Sequence, residues 1–217
     1  MKTILGLLLI PVVLLVSTMA SANNFNVKVN TKDDHKNLAE VWNNDFSQKA
    51  FFNEKNNTTY LTIYNQHNKL VAEHLIPRAK KLKNITWSAN NKYLTFTEND
   101  RNLWVYTIEH NARLLIENKL INTQENNLSV QWSPNSEWIQ YLSNENSRNK
   151  VKIYSLKRHR PFLLPIDSSQ ISSINWQGYD NELIINSLFM EPKKSEQMTI
   201  YGITLVLQAD SQVALLH

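Results

Sequence analysis

The chain has 217 residues, a formal net charge of +4 and no cysteine. This charge is too close to balance to indicate nucleic acid or an anionic membrane surface as a partner. Because no disulfide can form, a hydrophobic core must stabilise the chain, and the length is sufficient for one domain. Glycine occurs only three times, so we expect tight turns to use Asn and Asp, the other residues that tolerate positive φ.

Residues 1–22 have the pattern of a secretory signal peptide. Lys2 precedes an apolar run at 4–16, and small residues follow up to Ala22. The run is shorter than the roughly 20 residues of a membrane span and is interrupted by Pro11, so cleavage after Ala22 is favoured over retention as an anchor. We therefore expect a periplasmic or secreted protein without stable membrane insertion after cleavage.

Four tryptophans recur at spacings of 45, 45 and 44 residues: Trp42, Trp87, Trp132 and Trp176. Nine positions after each tryptophan stands Phe51, Phe96, Tyr141 or Ile185. Seven positions after each tryptophan stands Lys49, Leu94, Ile139 or Leu183, so this position is apolar in every copy except the first. A β-branched residue followed by tyrosine also recurs, with the tyrosines at Tyr64, Tyr106, Tyr154 and Tyr201. These regularities indicate an internal repeat.

Each copy is predicted to form four short strands. The first ends at the tryptophan, as in KNITW; the second alternates apolar and polar residues; the third holds the tyrosine, as in LWVYT and MTIYG; the fourth is a closing apolar run, such as QVALLH at 212–217. Four strands in 40–45 residues are typical of a β-propeller blade. The predicted fold is all-β, a propeller of four four-stranded blades, with repeats at about 37–78, 79–120, 124–167 and 168–217. The tryptophans and tyrosines are expected to pack between blades.

The stretches WSPNSEWIQYLS and WSANNKYLTFTE resemble the TolB-type, WD-like propeller repeat, whose pattern is Trp-Ser-Pro-Asp-Gly-Lys followed by an apolar strand. The match is clear in copies two and three, partial in copy four and weak in copy one. The Asp-Gly turn of that family is replaced by Asn90-Asn91, Asn135-Ser136 and Tyr179-Asp180. The resemblance implies protein partners in the cell envelope, such as a lipoprotein, a secretion component or the outer domain of a membrane-bound regulator.

Four blades are near the lower limit of propeller architecture, so two arrangements stay open. The blades form either a small closed ring or an open arc that a partner completes, because an unclosed end exposes unpaired strands. The N-terminal segment at 23–36 includes FNVKVN at 25–30, whose alternation predicts a strand that could close the ring.

No constellation for catalysis is recognisable. Gly-x-Ser-x-Gly and glycine-rich phosphate loops are absent, and the six histidines lack metal-ligand spacing. The sequence therefore predicts no catalytic, cofactor-binding or metal-binding residue and a protein that is not an enzyme. A small-ligand or polysaccharide sensor at the channel mouth is the alternative, and a metal-dependent lactonase or lyase is the less favoured one.

In a propeller, the turns between second and third strands share one face with the links between blades. Variable loops on a repeated scaffold commonly carry binding. The candidate residues on this face are Lys55, Arg78, Lys80, Lys81, Arg101, Arg148 and Lys193. The basic run at 156–160 belongs to the opposite face. We therefore predict an exported, non-enzymatic module for protein-protein interaction in the cell envelope.

Overall fold

The computed structural model describes residues 40–78, 81–121, 129–167, 171–178, 182–187, 196–200 and 203–209. All of these belong to one compact unit, Asp34–His217. Several predictions concern residues outside these ranges: the signal peptide at 1–22, the segment at 23–36, the closing run at 212–217, Lys80, Lys193 and Tyr201.

Sixteen strands make up the regular structure of the described ranges. Those of the first two sheets are β1 (Val41–Trp42), β2 (Gln48–Lys55), β3 (Thr58–Asn65), β4 (Leu70–Ile76), β5 (Lys83–Trp87), β6 (Tyr93–Glu98), β7 (Asn102–Thr107) and β8 (Ala112–Glu117). Those of the last two are β9 (Gln131–Trp132), β10 (Trp138–Glu145), β11 (Arg148–Ser155), β12 (Arg160–Asp167), β13 (Ile171–Gln177), β14 (Glu182–Ser187), β15 (Glu196–Ile200) and β16 (Ile203–Ala209).

The strands form four four-stranded sheets, which confirms the predicted fold class. The first three sheets have the strand orders β1-β2-β3-β4, β5-β6-β7-β8 and β9-β10-β11-β12, with antiparallel neighbours throughout. The run KNITW forms β5 over its full length. Each of the first three copies is thus a meander whose first strand ends at the repeated tryptophan and whose fourth strand is the outer edge.

The fourth sheet departs from the predicted order. Its strands follow β13-β14-β16-β15, and β16 runs parallel to β14. The sequence predicted MTIYG as the third strand, next to the second; instead residues 203–209 lie beside β14, and β15 is the edge. The run at 212–217, predicted as the fourth strand, lies outside the described residues. The physical reason is composition. ITLVLQA is the more apolar run, and its Leu205 is buried in the inner position.

Three hydrophobic clusters hold consecutive sheets together. The first joins the first and second sheets through residues such as Phe52, Ile63 and Phe96. The second joins the second and third sheets, and the third joins the third and fourth. Each sheet contributes alternate side chains to its two faces, so one strand supplies both neighbouring interfaces.

The repeated tryptophans make equivalent contacts at successive interfaces. The indole N–H of Trp87 donates to the carbonyl of Val41 at 2.9 Å, and that of Trp132 donates to the carbonyl of Thr86 at 3.3 Å. Donor and acceptor are 46 residues apart in both bonds. Each of these two tryptophans therefore reaches the first strand of the preceding sheet. The indole nitrogen of Trp176 is buried and has no hydrogen-bond partner in the part of the chain described.

The tyrosines of the third strands pack in different ways. Tyr106 is fully buried, and its hydroxyl donates to Asn111 Oδ1 at 2.8 Å. Tyr154 is buried between the second and third sheets. Tyr64 is only half-buried and stacks on Phe51 with ring centroids 5.9 Å apart. The first copy is thus the least covered of the three.

Candidate functional site

The turns between second and third strands lie at one end of each sheet, which we call the loop side. Residues 56–57 and 146–147 are two-residue loops in which both residues have positive φ, as a type I′ hairpin requires. Asn56, Asn57, Asn146 and Ser147 occupy these positions without glycine. Asparagine thus supplies most of the turn chemistry, as the composition predicts.

The described start of the link after β8 also lies on the loop side. Leu120 N–H donates to the carbonyl of Arg101 at 2.8 Å, which joins the link after β8 to the β6–β7 turn. Asn144 N–H donates to the carbonyl of Lys119 at 2.9 Å, which joins the same link to β10 of the third sheet. The link therefore bridges the loop sides of the second and third sheets.

The predicted cationic residues that the structure describes do not form one cluster. Lys55 pairs with Glu73 at 2.6 Å, and this hydrogen bond raises the pKa of Lys55. Lys81 lies 3.8 Å from Asp100, whose pKa is lowered mainly by its hydrogen bond from Lys83. Arg78 lies in the turn that follows β4, with φ at 57°. These three residues lie on or after the first sheet, each in its own local setting.

Arg101 and Arg148 are placed beside a groove between the second and third sheets. Arg101 Nε donates to the carbonyl of Asn118 at 3.0 Å, and Arg148 is paired in register with Glu145. The groove has a volume of about 280 Å³ and is lined by Leu115, Ile116, Glu117, Asn118, Lys119, Glu145, Lys152 and Pro161. The structure therefore brings two of the predicted residues to the border of one concave surface.

An ammonium between two carboxylates forms the floor of this groove. Lys152 Nζ lies 2.8 Å from Glu117 Oε2 and 2.5 Å from Glu145 Oε1. The side chains of Lys152 and Glu117 are only 12% and 6% exposed. Glu117 also accepts hydrogen bonds from the backbone N–H groups of Asn118 and Lys119, both at 2.9 Å. This triad ties β8 and its link to the third sheet.

Burial and hydrogen bonding act in opposite directions on the two innermost groups of the triad. Burial raises the pKa of the Glu117 carboxyl, but hydrogen bonds from Lys152 and the backbone outweigh it, so the pKa lies below 4.5. Burial lowers the pKa of Lys152, and hydrogen bonds to both carboxylates more than offset it, so the pKa is raised. Both groups are therefore ionised at neutral pH.

A buried hydroxyl lies next to the triad. Tyr141 is fully buried, and its hydroxyl oxygen has no hydrogen-bond partner among the described residues. Burial raises the pKa of Tyr141, and the negative charges of Glu117 and Glu145 add to the effect. Tyr141 therefore stays protonated at neutral pH and can offer a hydrogen bond but not a phenolate.

Sequence reasoning missed Glu117 and Lys152. Glu117 ends a strand, Glu145 precedes a turn and Lys152 lies inside the next strand, so no short motif connects them. The nearest sequence signal was the candidate residue Arg148, three residues after Glu145. Within the described ranges, no three His, Asp or Glu side chains are placed to hold a metal ion. No helix in those ranges is long and apolar enough to cross a membrane.

Comparison with known proteins gives no match to a family model and no match to a curated protein. Solved structures with a similar fold include TolB from Acinetobacter baumannii, at 12% identity and a TM-score of 0.39, covering 59% of this chain and 32% of that one. A TolB-type protein from Agrobacterium tumefaciens has 11% identity and a TM-score of 0.46, covering 75% and 58%. An oligogalacturonate lyase from Vibrio parahaemolyticus has 9% identity and a TM-score of 0.45, covering 61% and 41%.

The four sheets and their repeated contacts define the class of this chain as a propeller-type repeat protein. Two of the three similar structures carry the name of the family whose repeat the sequence resembles. The chain spans less than two thirds of the length of each of these structures. At such identities and TM-scores the similarity concerns the fold alone, so the function has to be argued from the groove.

Proposed function

We propose that this protein is an exported, non-enzymatic module that binds a protein partner of the cell envelope through the groove between its second and third sheets. The observation that carries the proposal is the outer edge of β8. Among the described strands it pairs only with β7, it carries two exposed leucines, Leu114 and Leu115, and it borders the groove. The predicted signal peptide at 1–22 supports the export.

An open strand edge is a template for an extended segment of another chain. Such a segment would hydrogen-bond to the free backbone edge of β8 and place alternate side chains towards the groove. The neighbouring outer strand, β12, contains Pro161 and Pro165, which lack the N–H that a strand addition needs. β8 contains no proline. The pairing edge of the groove is therefore β8.

The charge states of the groove support binding rather than catalysis. A general acid or base needs a pKa near the working pH. The pKa of Glu117 is lowered and that of Lys152 is raised, so both are moved away from neutrality. The floor thus offers a fixed pattern of charge to a partner. Ligand sensing at a channel mouth and metal-dependent catalysis stay predictions that no observation on the described residues favours.

The test is recovery of a partner from an envelope extract with the purified protein as bait. Leu115→Lys places a charge at the exposed edge of β8 and should lower recovery by about tenfold or more. Leu70→Lys is the matched control, because Leu70 is also exposed on an outer strand but lies beside the opposite turns. Thermal melting verifies that both variants fold. Equal recovery with wild type and with Leu115→Lys contradicts the proposal.

A second pair of variants tests the loop side itself. Arg148→Glu reverses a charge at the β10–β11 turn, next to the groove. Lys157→Glu reverses a charge in the β11–β12 turn, which lies at the opposite end of β11. Recovery should fall with Arg148→Glu only. A fall with Lys157→Glu and none with Arg148→Glu would place the partner on the opposite side.

A further inference from the structure

Neighbouring sheets always contact each other through two different faces. We call the face of a sheet towards the preceding sheet its head face and the face towards the following sheet its tail face. The first sheet presents Ala50, Phe52, Leu61 and Ile63 on its tail face, and the second presents Trp87, Leu94 and Phe96 on its head face. The same positions of the repeat meet at the next two interfaces.

The head face of the first sheet has no sheet against it among the described residues. Trp42 on this face is 38% exposed, whereas its equivalent Trp87 is 6% exposed. The stacked rings of Phe51 and Tyr64 lie on the same face. No buried cluster of described residues combines the first sheet with the fourth. Among the described residues, the first sheet thus keeps the aromatic residues of a head face without a tail face packed against them.

The head face of the first sheet also carries a charge where the other copies are apolar. Lys49 stands at the position of Leu94, Ile139 and Leu183. Its ammonium lies 5.6 Å from the centroid of the Trp42 ring and 3.0 Å from Glu40 Oε1. The cation is therefore held over the exposed tryptophan. A surface that covers this face has to supply a group compatible with a positive charge.

The tail face of the fourth sheet supplies that group. Leu183 and Leu205 pack on the third sheet, so strand alternation directs Ile184 and Val206 to the tail face. Ile184 stands at the repeat position of Ala50, and Glu182 lies two residues before it on the same face. The tail face of the fourth sheet therefore combines Ile184 and Val206, the latter 8% exposed, with a carboxylate.

The repeat geometry shows where this carboxylate would meet a head face. Tyr93, on the tail face of the second sheet, stacks on Trp132 of the third with ring centroids 6.0 Å apart. Glu182 stands at the repeat position of Tyr93, and Trp42 stands at that of Trp132. If the tail face of a fourth sheet packs on the head face of a first sheet as the second sheet packs on the third, Glu182 contacts Trp42 and lies beside the ammonium of Lys49.

We propose that the head face of the first sheet binds the tail face of the fourth sheet of a second copy of this chain. A Glu182–Lys49 ion pair then replaces the aromatic stack of the internal interface. If each copy uses both ends, two head-to-tail contacts close a ring with twofold symmetry. This interface is separate from the groove, which lies between the second and third sheets, so the two proposals stand or fall independently.

The test is sedimentation equilibrium of the protein purified after expression of the full chain. The wild type should have about twice the mass of one chain. Lys49→Glu and Glu182→Lys should each weaken self-association by about tenfold or more, because each places like charges together. The double variant Lys49→Glu/Glu182→Lys exchanges the charges and should restore the association. Lys69→Glu, at an exposed turn, is the control and should change nothing.

Two results overturn the proposal. One is a wild-type mass of one chain at every concentration tested. If the single variants then lower the melting temperature, the first and fourth sheets contact each other within one chain. The other is a double variant that associates no better than the single ones. If a single variant fails to fold, the wild-type mass and the double variant still decide. Partner recovery through Leu115 is unaffected by either result.

Discussion

Replacing Lys152 with methionine tests whether the triad stabilises the contact between the second and third sheets. Methionine keeps most of the aliphatic volume but leaves Glu117 Oε2 without its donor at 2.8 Å. Removing one partner of a buried ion pair costs about 3–5 kcal/mol. Glu117 keeps two backbone hydrogen bonds to Oε1, so we expect a loss at the lower end, about 3 kcal/mol in the free energy of unfolding at pH 7.

The pH dependence of this loss follows from the pKa of Glu117. Because that pKa is lowered in the folded state, the ionised carboxylate contributes stability above the ordinary pKa of 4.5, and this contribution is lost as the pH falls through the folded value. Without Lys152, the pKa of Glu117 is higher than in wild type, because burial still raises it while the hydrogen bond and the positive charge of Lys152 no longer lower it, so the variant takes up a proton more readily. The difference between wild type and Lys152→Met should therefore shrink below about pH 4.5.

Chemical denaturation between pH 3 and 8 measures both effects. Lys55→Met is the matched control, because Lys55 and Glu73 form an ion pair of similar length at an exposed site, where screening by water leaves little stabilisation. The double variant Lys152→Met/Glu117→Gln removes the unpaired charge and should recover part of the loss. A loss with Lys152→Met no larger than with Lys55→Met, or one that is unchanged at pH 3, refutes the reasoning.

Three further predictions concern the repeat. In chemical denaturation, Trp87→Phe should lower the free energy of unfolding by about 1–2 kcal/mol, because the hydrogen bond to the Val41 carbonyl is lost. Trp176→Phe should lower it by less, because the indole nitrogen of Trp176 has no hydrogen-bond partner among the described residues. Ser147→Gly should increase the free energy of unfolding by about 0.5 kcal/mol and so raise the melting temperature. The reason is that φ of Ser147 is 64°, a left-handed conformation that glycine adopts without steric cost. Burial raises the pKa of Tyr106 to about 12, above its ordinary value of 10. The unfolded chain therefore loses this proton first, so the free energy of unfolding of wild type should decline between pH 10 and pH 12. The decline should be smaller in Tyr106→Phe, which has no hydroxyl to titrate.

Much of the fold was predictable because the repeat constrains both strand pairing and side-chain direction. The run at 83–87 predicted β5 with its correct bounds, and the alternation after each tryptophan predicted which residues face a neighbouring sheet. Period-two patterns carry this information because successive side chains of a strand point to opposite faces of its sheet. The turns followed from the scarcity of glycine, since asparagine is the next residue that tolerates positive φ.

The strand order of the fourth sheet and the floor of the groove could not be predicted in the same way. MTIYG and ITLVLQA are both strand-like, and local pattern does not say which of two adjacent runs takes the inner position. Glu117, Glu145 and Lys152 belong to three strands, so their contact depends on how two sheets are stacked. A charged residue inside an apolar strand pattern indicates that an oppositely charged side chain lies near it, but the repeat pattern does not identify that side chain.

Lys49 shows how an exception within a repeat can be more informative than the repeat. Leucine or isoleucine stands at its position in the other three copies because that side chain is buried between two sheets. A lysine there is tolerated only where its ammonium keeps a carboxylate and some water, and the Lys49 side chain is 15% exposed beside Glu40. Glu182 is likewise charged at a position that is polar or aromatic in the other copies. The two substitutions are of opposite sign and stand at opposite ends of the row, so the first and last sheets are electrostatically suited to each other, while identical ends are not.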